Sequence, residues 1–289
     1  MQKELINSEI IRLIQIALHE DIDSGDLTAE SIFPIRGAWT SGLLMAKSDG
    51  IICGMEIAKL VFDTVSGNTC VWEPLLSDGD CVKNGTPIAK ISGEARDILS
   101  GERTALNFMQ RMSGVATLTH RYVLAISGTE ARILDTRKTI PGWRALDKYA
   151  VRIGGGYNHR MGLYDMALIK DNHIAAAGGI YQAIALCRNY ISENTPLEVE
   201  ADTIQQVIEI LACPGVQRIM FDNFTPIQTK AAVELVNGRC ETETSGGIHL
   251  ETIKAYAETG VDYISVGALT HSAAALDISL DLDPWLPKS

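Results

Sequence analysis

Six short apolar runs recur through the second half of the chain, at 132–136, 166–170, 197–200, 218–222, 240–244 and 262–266. Helical periodicity separates most of them, at 180–190, 203–212, 225–236 and 250–259. This alternation limits the possible folds more than any other feature. Parallel strands need long crossovers, helices supply them, and the crossovers are right-handed. An open dinucleotide-binding sheet would place a glycine-rich turn after its first strand, and none follows the run at 132–136. Complete eight-fold barrels usually take roughly 200–250 residues. The alternating segment has only about 150, so its length predicts an incomplete or irregular α/β barrel.

The chemistry-bearing residues cluster at the C-terminal ends of these runs. Arg137 and Lys138 follow the first, Lys170 closes the second, Glu200 the third and Asp222 the fourth. Ser245-Gly246-Gly247 follows the fifth and Gly267 the sixth. Barrel enzymes build their sites at that face, and the loops after the last strands favour phosphate.

Charge supports the same location. Eight Lys/Arg and four Asp/Glu lie between Ala131 and Asn172, a positive island of about +4 in a chain of net charge −11. An acidic protein is a poor candidate for coating nucleic acid. A local positive field beside glycines suits a small, highly negative ligand.

Arg137, Lys138, His159, Arg160 and Lys170 offer many donors, and arginine forks match carboxylates and phosphates. Glu200 and Asp222 form a separate acidic pair, suited to a hydrated magnesium ion or to ribose hydroxyls; salt bridges to the neighbouring basic residues are the plainer reading. Ser245-Gly246-Gly247 and Val266-Gly267-Ala268 offer backbone N–H groups suited to phosphate. His271 either touches that phosphate or caps a helix. The pocket is therefore expected to hold one or two carboxylates, a phosphate and magnesium, which describes phosphoribosyl transfer to a carboxylated acceptor. No hydride-cofactor fingerprint, Walker lysine or catalytic Ser/His/Asp order is present.

The first half reads differently. Ser8 is a candidate cap for a helix with Ile11, Ile14, Ala17 and Leu18 on its apolar face. Asp21, Asp23 and Asp26 do not fit a calcium loop, because the glycine and the distal glutamate are misplaced. From Trp39 to Gly93, short β-type runs are cut by Gly, Asp and Asn, with a helix from Met55 to Val65. The piece from Asp78 to Gly85 looks like a turn of a small carrier-type β-barrel, but lacks the lysine expected for attachment. From Ile98 to about Ala125 the pattern is helical. Ser113-Gly114 suggests a break there, with a domain junction near Gly114. Arg103, on the first of these two helices, is anonymous by pattern alone.

The six cysteines form no C-x-x-C pair, as expected for reduced thiols in a cytosolic protein. The N-terminus has no apolar stretch of signal-peptide character, and no run approaches the roughly 18 residues of a membrane span. A soluble cytoplasmic protein is expected.

Several motifs together resemble the quinolinate phosphoribosyltransferase family, also called carboxylating nicotinate-nucleotide pyrophosphorylase. They are Asp135-Thr136-Arg137-Lys138-Thr139 with Pro141-Gly142, Lys148-Tyr149-Ala150-Val151, Gly154-Gly155-Gly156 and Asn158-His159-Arg160. Glu198-Val199-Glu200, Asp222-Asn223, Ser245-Gly246-Gly247-Ile248, the stretch from Gly260 to Thr270, and Gly25-Asp26-Leu27-Thr28 agree too.

The resemblance implies a reaction: quinolinate and phosphoribosyl pyrophosphate give nicotinate mononucleotide, pyrophosphate and carbon dioxide, with Mg2+. It implies that Arg137, His159, Arg160 and Lys170 bind the quinolinate carboxylates and that Arg103 reaches the neighbouring subunit's pocket. Lys138, Glu200 and Asp222 would serve phosphoribosyl pyrophosphate and its metal, the acids directly or through water. Ser245–Gly247 and Val266–Ala268 would hold the 5′-phosphate, with Thr136 and His271 also at the substrate.

It further implies a homodimer or a hexamer built of dimers. The fold implied is an N-terminal α/β sandwich domain (1–113) and an open α/β barrel of the type II phosphoribosyltransferase kind (114–275). The tail 276–289 is a candidate to return to the first domain. Lys138 and Lys170 are both candidates to stabilise the charge left by decarboxylation. Ile140, Ile153 and Thr244 depart from the common family residues without removing a charged group. Other readings are the molybdenum-uptake-associated paralogue of this fold, a Schiff-base lyase using Lys170, and a non-catalytic anion binder.

Overall fold

The computed structural model describes residues 5–284. Its contacts divide the chain into two units, one of residues 1–118, 141–154 and 273–289, the other of 119–140 and 155–272.

The first unit carries an antiparallel four-stranded sheet. Its strands are β1 (Trp39–Ala46), β3 (Val71–Pro74), β5 (Pro87–Glu94) and β12 (Ile278–Leu282), in the order β12-β1-β5-β3. The last strand thus comes from the far end of the chain and pairs Ala46 with Ile278 and Gly42 with Leu282. A separate two-stranded ladder joins β2 (Gly50–Ile51) to β4 (Cys81–Val82). One strand of this ladder, β4, lies within the carrier-like piece 78–85, and Asp78 of that piece has a structural task. Its Oδ1 accepts the amides of Gly54 and Met55, capping the helix α3 (Met55–Ser66).

Two local expectations are corrected here. The first helix, α1 (Ser8–Ile22), is capped by Asn7 and not by Ser8; the Asn7 side chain accepts the amides of Glu9 and Ile10. The cap sits one residue earlier, and the buried face is correspondingly Ile10, Ile14 and Leu18, with Ile11 exposed. Asp26 does the same for the short helix α2 (Leu27–Ile32), accepting from Thr28 and Ala29.

The second correction concerns Ser113-Gly114. Residues Ala95–Ala125 form one uninterrupted helix, α4. Ser113 is not a breaker, because its hydroxyl is occupied with the backbone of Cys53, accepting from its N–H and donating to its carbonyl. Gly114 marks a close approach: a Cβ there would lie 2.1 Å from the carbonyl oxygen of Ala274. A helix can carry glycine for packing at a cost of about 1 kcal/mol in propensity, and the signal for a break was that packing contact.

Residues 141–154 belong to the first unit, although the chain reaches them from the barrel. Their helix α5 (Arg144–Ile153) is bound there by aromatic and polar anchors. Trp143 stacks on Phe108 at 4.8 Å, Asp147 pairs with Arg111 at 3.1 Å, and the Tyr149 hydroxyl donates to Asp78 at 2.8 Å.

The second unit is a six-stranded parallel sheet. Its strands are β6 (Arg132–Leu134), β7 (Ala167–Ile169), β8 (Leu197–Ala201), β9 (Arg218–Asp222), β10 (Glu241–Ser245) and β11 (Tyr263–Ser265), in the order β6-β11-β10-β9-β8-β7. Among the described residues no ladder joins β7 back to β6, so the barrel is open. All six expected runs are strands.

The helices between them are α6 (Asp171–Ala177), α7 (Ile180–Tyr190), α8 (Ile204–Leu211), α9 (Pro226–Val236) and α10 (Ile253–Ala257). Thr203 caps α8; Thr225 and Gln228 form a reciprocal cap on α9, with Pro226 at its first position. One strand face supplies the apolar core: Leu197, Val199, Ala201, Ile219, Phe221 and Ile264 are completely buried. Each large side chain buried this way contributes roughly 1.5–3 kcal/mol. Side chains alternate between faces, so the other face is left for polar groups. No helix among the described residues is long and apolar enough to cross a membrane.

Candidate active site

On the polar face, at the C-terminal strand ends, lies a cavity of about 540 Å³. The second unit alone builds it. Thr136, Arg137, Lys138, His159, Arg160, Lys170, Glu200, Asp222, Ser245, Gly246, Gly247, Val266, Gly267, Ala268 and His271 all line it. Of the expected site residues only Arg103 does not. It is exposed on α4, in the part that belongs to the first unit. The positive island also divides. Arg137, Lys138, Arg160 and Lys170 line the cavity; Arg132, Arg144, Lys148 and Arg152 do not. Lys148 is in fact buried on α5.

Register explains why these groups converge. Asp222 and Ser245 are paired across β9 and β10, and Glu200 faces Met220 across β8 and β9. Lys170 follows directly on β7, and its Nζ lies 2.6 Å from Glu200 Oε2. On the other side of the cavity, the turn after β6 is held by Thr136 Oγ1, which accepts the Lys138 amide at 3.0 Å. Thr270 Oγ1 donates to the Lys138 carbonyl at 2.8 Å. His271 ends the four-residue helix α11 (Ala268–His271), and its Nδ1 lies 2.6 Å from the Ser272 hydroxyl.

The cavity carries two regions of like charge. Arg160 is half-buried, and its acidity is increased by burial first and by the Arg137 charge second. The two guanidinium groups therefore repel one another, with solvent screening part of it because Arg137 is exposed. Across the cavity, burial and then the Glu200 charge raise the Asp222 pKa above the usual carboxylate value. Glu200, Asp202 and Asp222 bring carboxylate oxygens within 4.8 Å of one another. This all-oxygen set has the chemistry of a hard divalent cation site, and Asp202 is a member that the sequence reading missed.

A second cluster reaches the cavity wall through His159. His159, Glu198 and Glu243 also bring ligand-type atoms within 4.8 Å, a grouping that could hold a metal ion. His159 Nε2 is 3.0 Å from Glu198 and 3.5 Å from Glu243, and Arg218 Nη1 is 2.9 Å from Glu243. Ser265 Oγ donates to Glu243.

Burial pulls His159 towards the neutral form, but the nearby Glu198 and Glu243 carboxylates outweigh that and raise it to about 9. The Arg160 amide acts in the opposite sense, because it donates to Nδ1 at 2.7 Å and only an unprotonated nitrogen accepts. Burial and the Glu243 charge raise Glu198 to about 7. The group titrates as a unit. Asp135, itself fully buried, accepts from the Asn158 side chain at 2.6 Å and from the His159 amide at 2.9 Å. The sequence reading gave Glu198, Glu243, Asp135 and Arg218 no role in the site. Alternation was the available signal: Glu198 shares a strand face with Glu200, and Glu243 with Ser245.

Comparison with known proteins agrees with this arrangement. Residues 26–113 match the family model of the quinolinate phosphoribosyl transferase N-terminal domain, and residues 115–281 that of its C-terminal domain. A probable carboxylating nicotinate-nucleotide pyrophosphorylase of Bacillus subtilis is 45% identical over 276 residues, spanning 95% of this chain and 93% of its own length. A decarboxylating quinolinate phosphoribosyltransferase of Nicotiana glauca is 46% identical over 292 residues, spanning 95% and 82%. The solved nicotinate-nucleotide pyrophosphorylase of Francisella tularensis superposes with a TM-score of 0.91 at 39% identity, covering 96% of this chain and 98% of that one. With both domain models matched in order along one chain, the protein belongs to the quinolinate phosphoribosyltransferase family.

Proposed function

We propose that the chain transfers the phosphoribosyl group of phosphoribosyl pyrophosphate to quinolinate, with decarboxylation, giving nicotinate mononucleotide, pyrophosphate and carbon dioxide. The observation that carries this is the pair of like-charge regions in one cavity. The arginine side presents positive charge to an anion, and the acidic side, where Lys170 pairs with Glu200, presents carboxylate oxygens to a cation. A pyridine dicarboxylate and a magnesium-bound pyrophosphate ester match both sides. Family membership and the relatives' activities support the same reaction.

In this reading Arg137, His159, Arg160 and Lys170 take the two carboxylates. Lys138 and the amides of Gly246, Gly247, Gly267 and Ala268 take the phosphates of the ribosyl donor, with Thr136, Ser245, Val266 and His271 around them. Glu200 and Asp222, with Asp202, would hold Mg2+; when bound, it neutralises charge on the departing pyrophosphate.

The ring nitrogen's lone pair forms the new bond to C1′ as the C1′–oxygen bond to pyrophosphate breaks. Glu200 and Asp222 stabilise the positive character that develops at C1′. The bond from the ring to the 2-carboxylate breaks with release of carbon dioxide. The electron pair left on that carbon is stabilised by Lys138 or Lys170 and then takes a proton. A Schiff-base role for Lys170 is disfavoured by its ion pair with Glu200.

The six free cysteines fit a reducing compartment, so the reaction is assigned to the cytoplasm. Arg103, exposed and outside its own chain's cavity, is assigned to the site of a second subunit in a homodimer or a hexamer of dimers. Mixing protein, quinolinate, phosphoribosyl pyrophosphate and Mg2+ should yield nicotinate mononucleotide; its absence across a pH range refutes the function. Arg103→Ala and Lys170→Ala proteins, each inactive, should recover activity when their subunits exchange. No recovery after confirmed exchange refutes the shared site alone.

A further inference from the structure

We infer that Asp135 is a positioning residue for the carboxylate-binding side of the cavity. It fastens to β6 the segment that carries His159 and Arg160, at the point where the strand's own backbone turns away. This rests on the dicarboxylate reading of the cavity and adds to it a residue that the substrate does not touch.

β6 is an end strand of the six-stranded sheet, with β11 on one side. Along its other side runs the segment 157–160. Two main-chain bonds begin a parallel ladder there. The Tyr157 amide donates to the Ile133 carbonyl at 2.8 Å, and the Asp135 amide donates to the Tyr157 carbonyl at 3.1 Å. In a continued parallel ladder the next rung would run from the His159 amide to the main-chain carbonyl of residue 135. It runs instead to the side chain: the His159 amide donates to Asp135 Oδ1 at 2.9 Å. Asp135 Oδ2 accepts from the Asn158 side chain at 2.6 Å.

A side-chain acceptor does here what a strand carbonyl cannot. The chain has to leave β6 at this point, because Arg137 and Lys138 line the cavity. With the carboxylate in place of the carbonyl, the strand ends while its neighbour continues in register. Asp135 is completely buried and does not line the cavity, so it acts through the segment it holds. The far end of that segment is tied to the other edge of the sheet. Arg160 Nη1 donates at 3.0 Å to the carbonyl of Met166, the residue before β7. His159 and Arg160 are thus fastened to both edge strands, the kind of support that keeps binding groups within a fraction of an ångström of their working positions. Lys138 is held separately, by Thr136 and Thr270.

The test compares wild type with Asp135→Ala, Asp135→Asn and Asp135→Glu, reading quinolinate and phosphoribosyl pyrophosphate affinities separately. Asp135→Ala leaves the His159 amide without its acceptor, so quinolinate binding should weaken roughly tenfold or more while phosphoribosyl pyrophosphate changes by less than about twofold. Asp135→Asn keeps an acceptor for that amide and should retain most of the quinolinate affinity. Asp135→Glu keeps the charge but carries its oxygens one methylene further out, and should lose affinity as Asp135→Ala does. Wild-type quinolinate binding by Asp135→Ala overturns the inference. So does an equal loss for both substrates, which marks a general structural role, and so does the reverse order of Asn and Glu, which marks a charge effect.

Hydrogen exchange in the wild-type protein is an arm independent of variant folding. Without substrate, the amides of Tyr157 and His159 should both be protected. A His159 amide that exchanges freely until quinolinate is added overturns the inference, because the substrate and not Asp135 would then order the segment. A wild type that binds quinolinate but makes no product refutes the proposed reaction and leaves the Asp135 assignment standing.

Discussion

Gly246 offers the sharpest test of the proposed phosphate-binding loop. It sits at φ +95°, and a Cβ there would lie 2.2 Å from Asn223 Oδ1 and 2.9 Å from the Asn223 backbone nitrogen. The side-chain oxygen could swing away, but the backbone nitrogen cannot, because it is tied to the Ser245 carbonyl at 2.9 Å. The Asn223 side chain also donates to Asp222 at 2.6 Å, so a push on Asn223 reaches the acidic cluster.

Two costs add in Gly246→Ala: about 1–2 kcal/mol for an L residue at this φ and about 1–3 kcal/mol for overpacking. At about 2–4 °C per kcal/mol for a chain approaching this size, the melting temperature should fall by roughly 5–15 °C. A displacement near 1 Å at a reacting group costs on the order of a hundredfold in rate, so kcat/KM for phosphoribosyl pyrophosphate should fall by about that factor.

Gly247→Ala is the internal control. It has φ +60° and no atom within 4 Å of a built Cβ, so only about 1–2 kcal/mol of conformational strain applies. Calorimetry and steady-state kinetics at saturating quinolinate read both variants. Equal melting temperatures and equal kcat/KM for the two alanine variants would refute the reasoning, because it depends on the Asn223 contact and not on glycine content.

Three further outcomes follow from the same geometry. Burial raises the Asp78 pKa, partly offset by hydrogen bonds from the Met55 amide, the Tyr149 hydroxyl and the Gly54 amide. The folded state therefore holds that proton more tightly than the unfolded one. Stability from this group falls as pH rises from about 4 through the raised value, and the penalty is complete at neutral pH. Asp78→Asn should thus gain stability relative to wild type between about pH 4 and 7 in urea titrations; a constant difference across that range contradicts the burial argument. Removal of divalent cations by chelation should abolish turnover, and Asp202→Asn should raise the magnesium concentration needed to restore it; an unchanged requirement removes Asp202 from the cation site. Gly114→Ala should destabilise the first unit by several kcal/mol, since no side chain can shift to relieve a Cβ 2.1 Å from the Ala274 carbonyl; a wild-type melting temperature would show that the backbone yields there.

Where the local pattern had one cause, sequence and structure agree. The six runs became six strands because β–α alternation with buried apolar faces has few packed solutions. The residues at their C-terminal ends converge because parallel strands bring those ends to one side. Apart from the cap of α1, the misread points involve a contact remote in sequence. Ser113-Gly114 has the composition of a break, and only the distant Cys53 and Ala274 make it continuous helix. The helix at Arg144–Ile153 follows a barrel strand, yet Phe108, Arg111 and Asp78 draw it into the other unit. Lys148 was counted in the positive island, but lies buried on that helix.

The polar floor was hidden for a different reason. Glu198 lies in a strand buried throughout and Glu243 lies between the buried Thr242 and Thr244, and a carboxylate in such a place reads as an anomaly. Isolated burial of an ionised carboxylate is prohibitively costly, so it persists only with partners. Here the partners come from three further elements: Arg218 from β9, Ser265 from β11 and His159 from the loop that follows α5. That mutual dependence is also what gives the floor its use. A set of charges that must all be present to be tolerated cannot relax one member at a time. The loop bearing Arg160 is thereby held to the sheet, and its guanidinium stays on the cavity wall, where the proposed dicarboxylate would meet it.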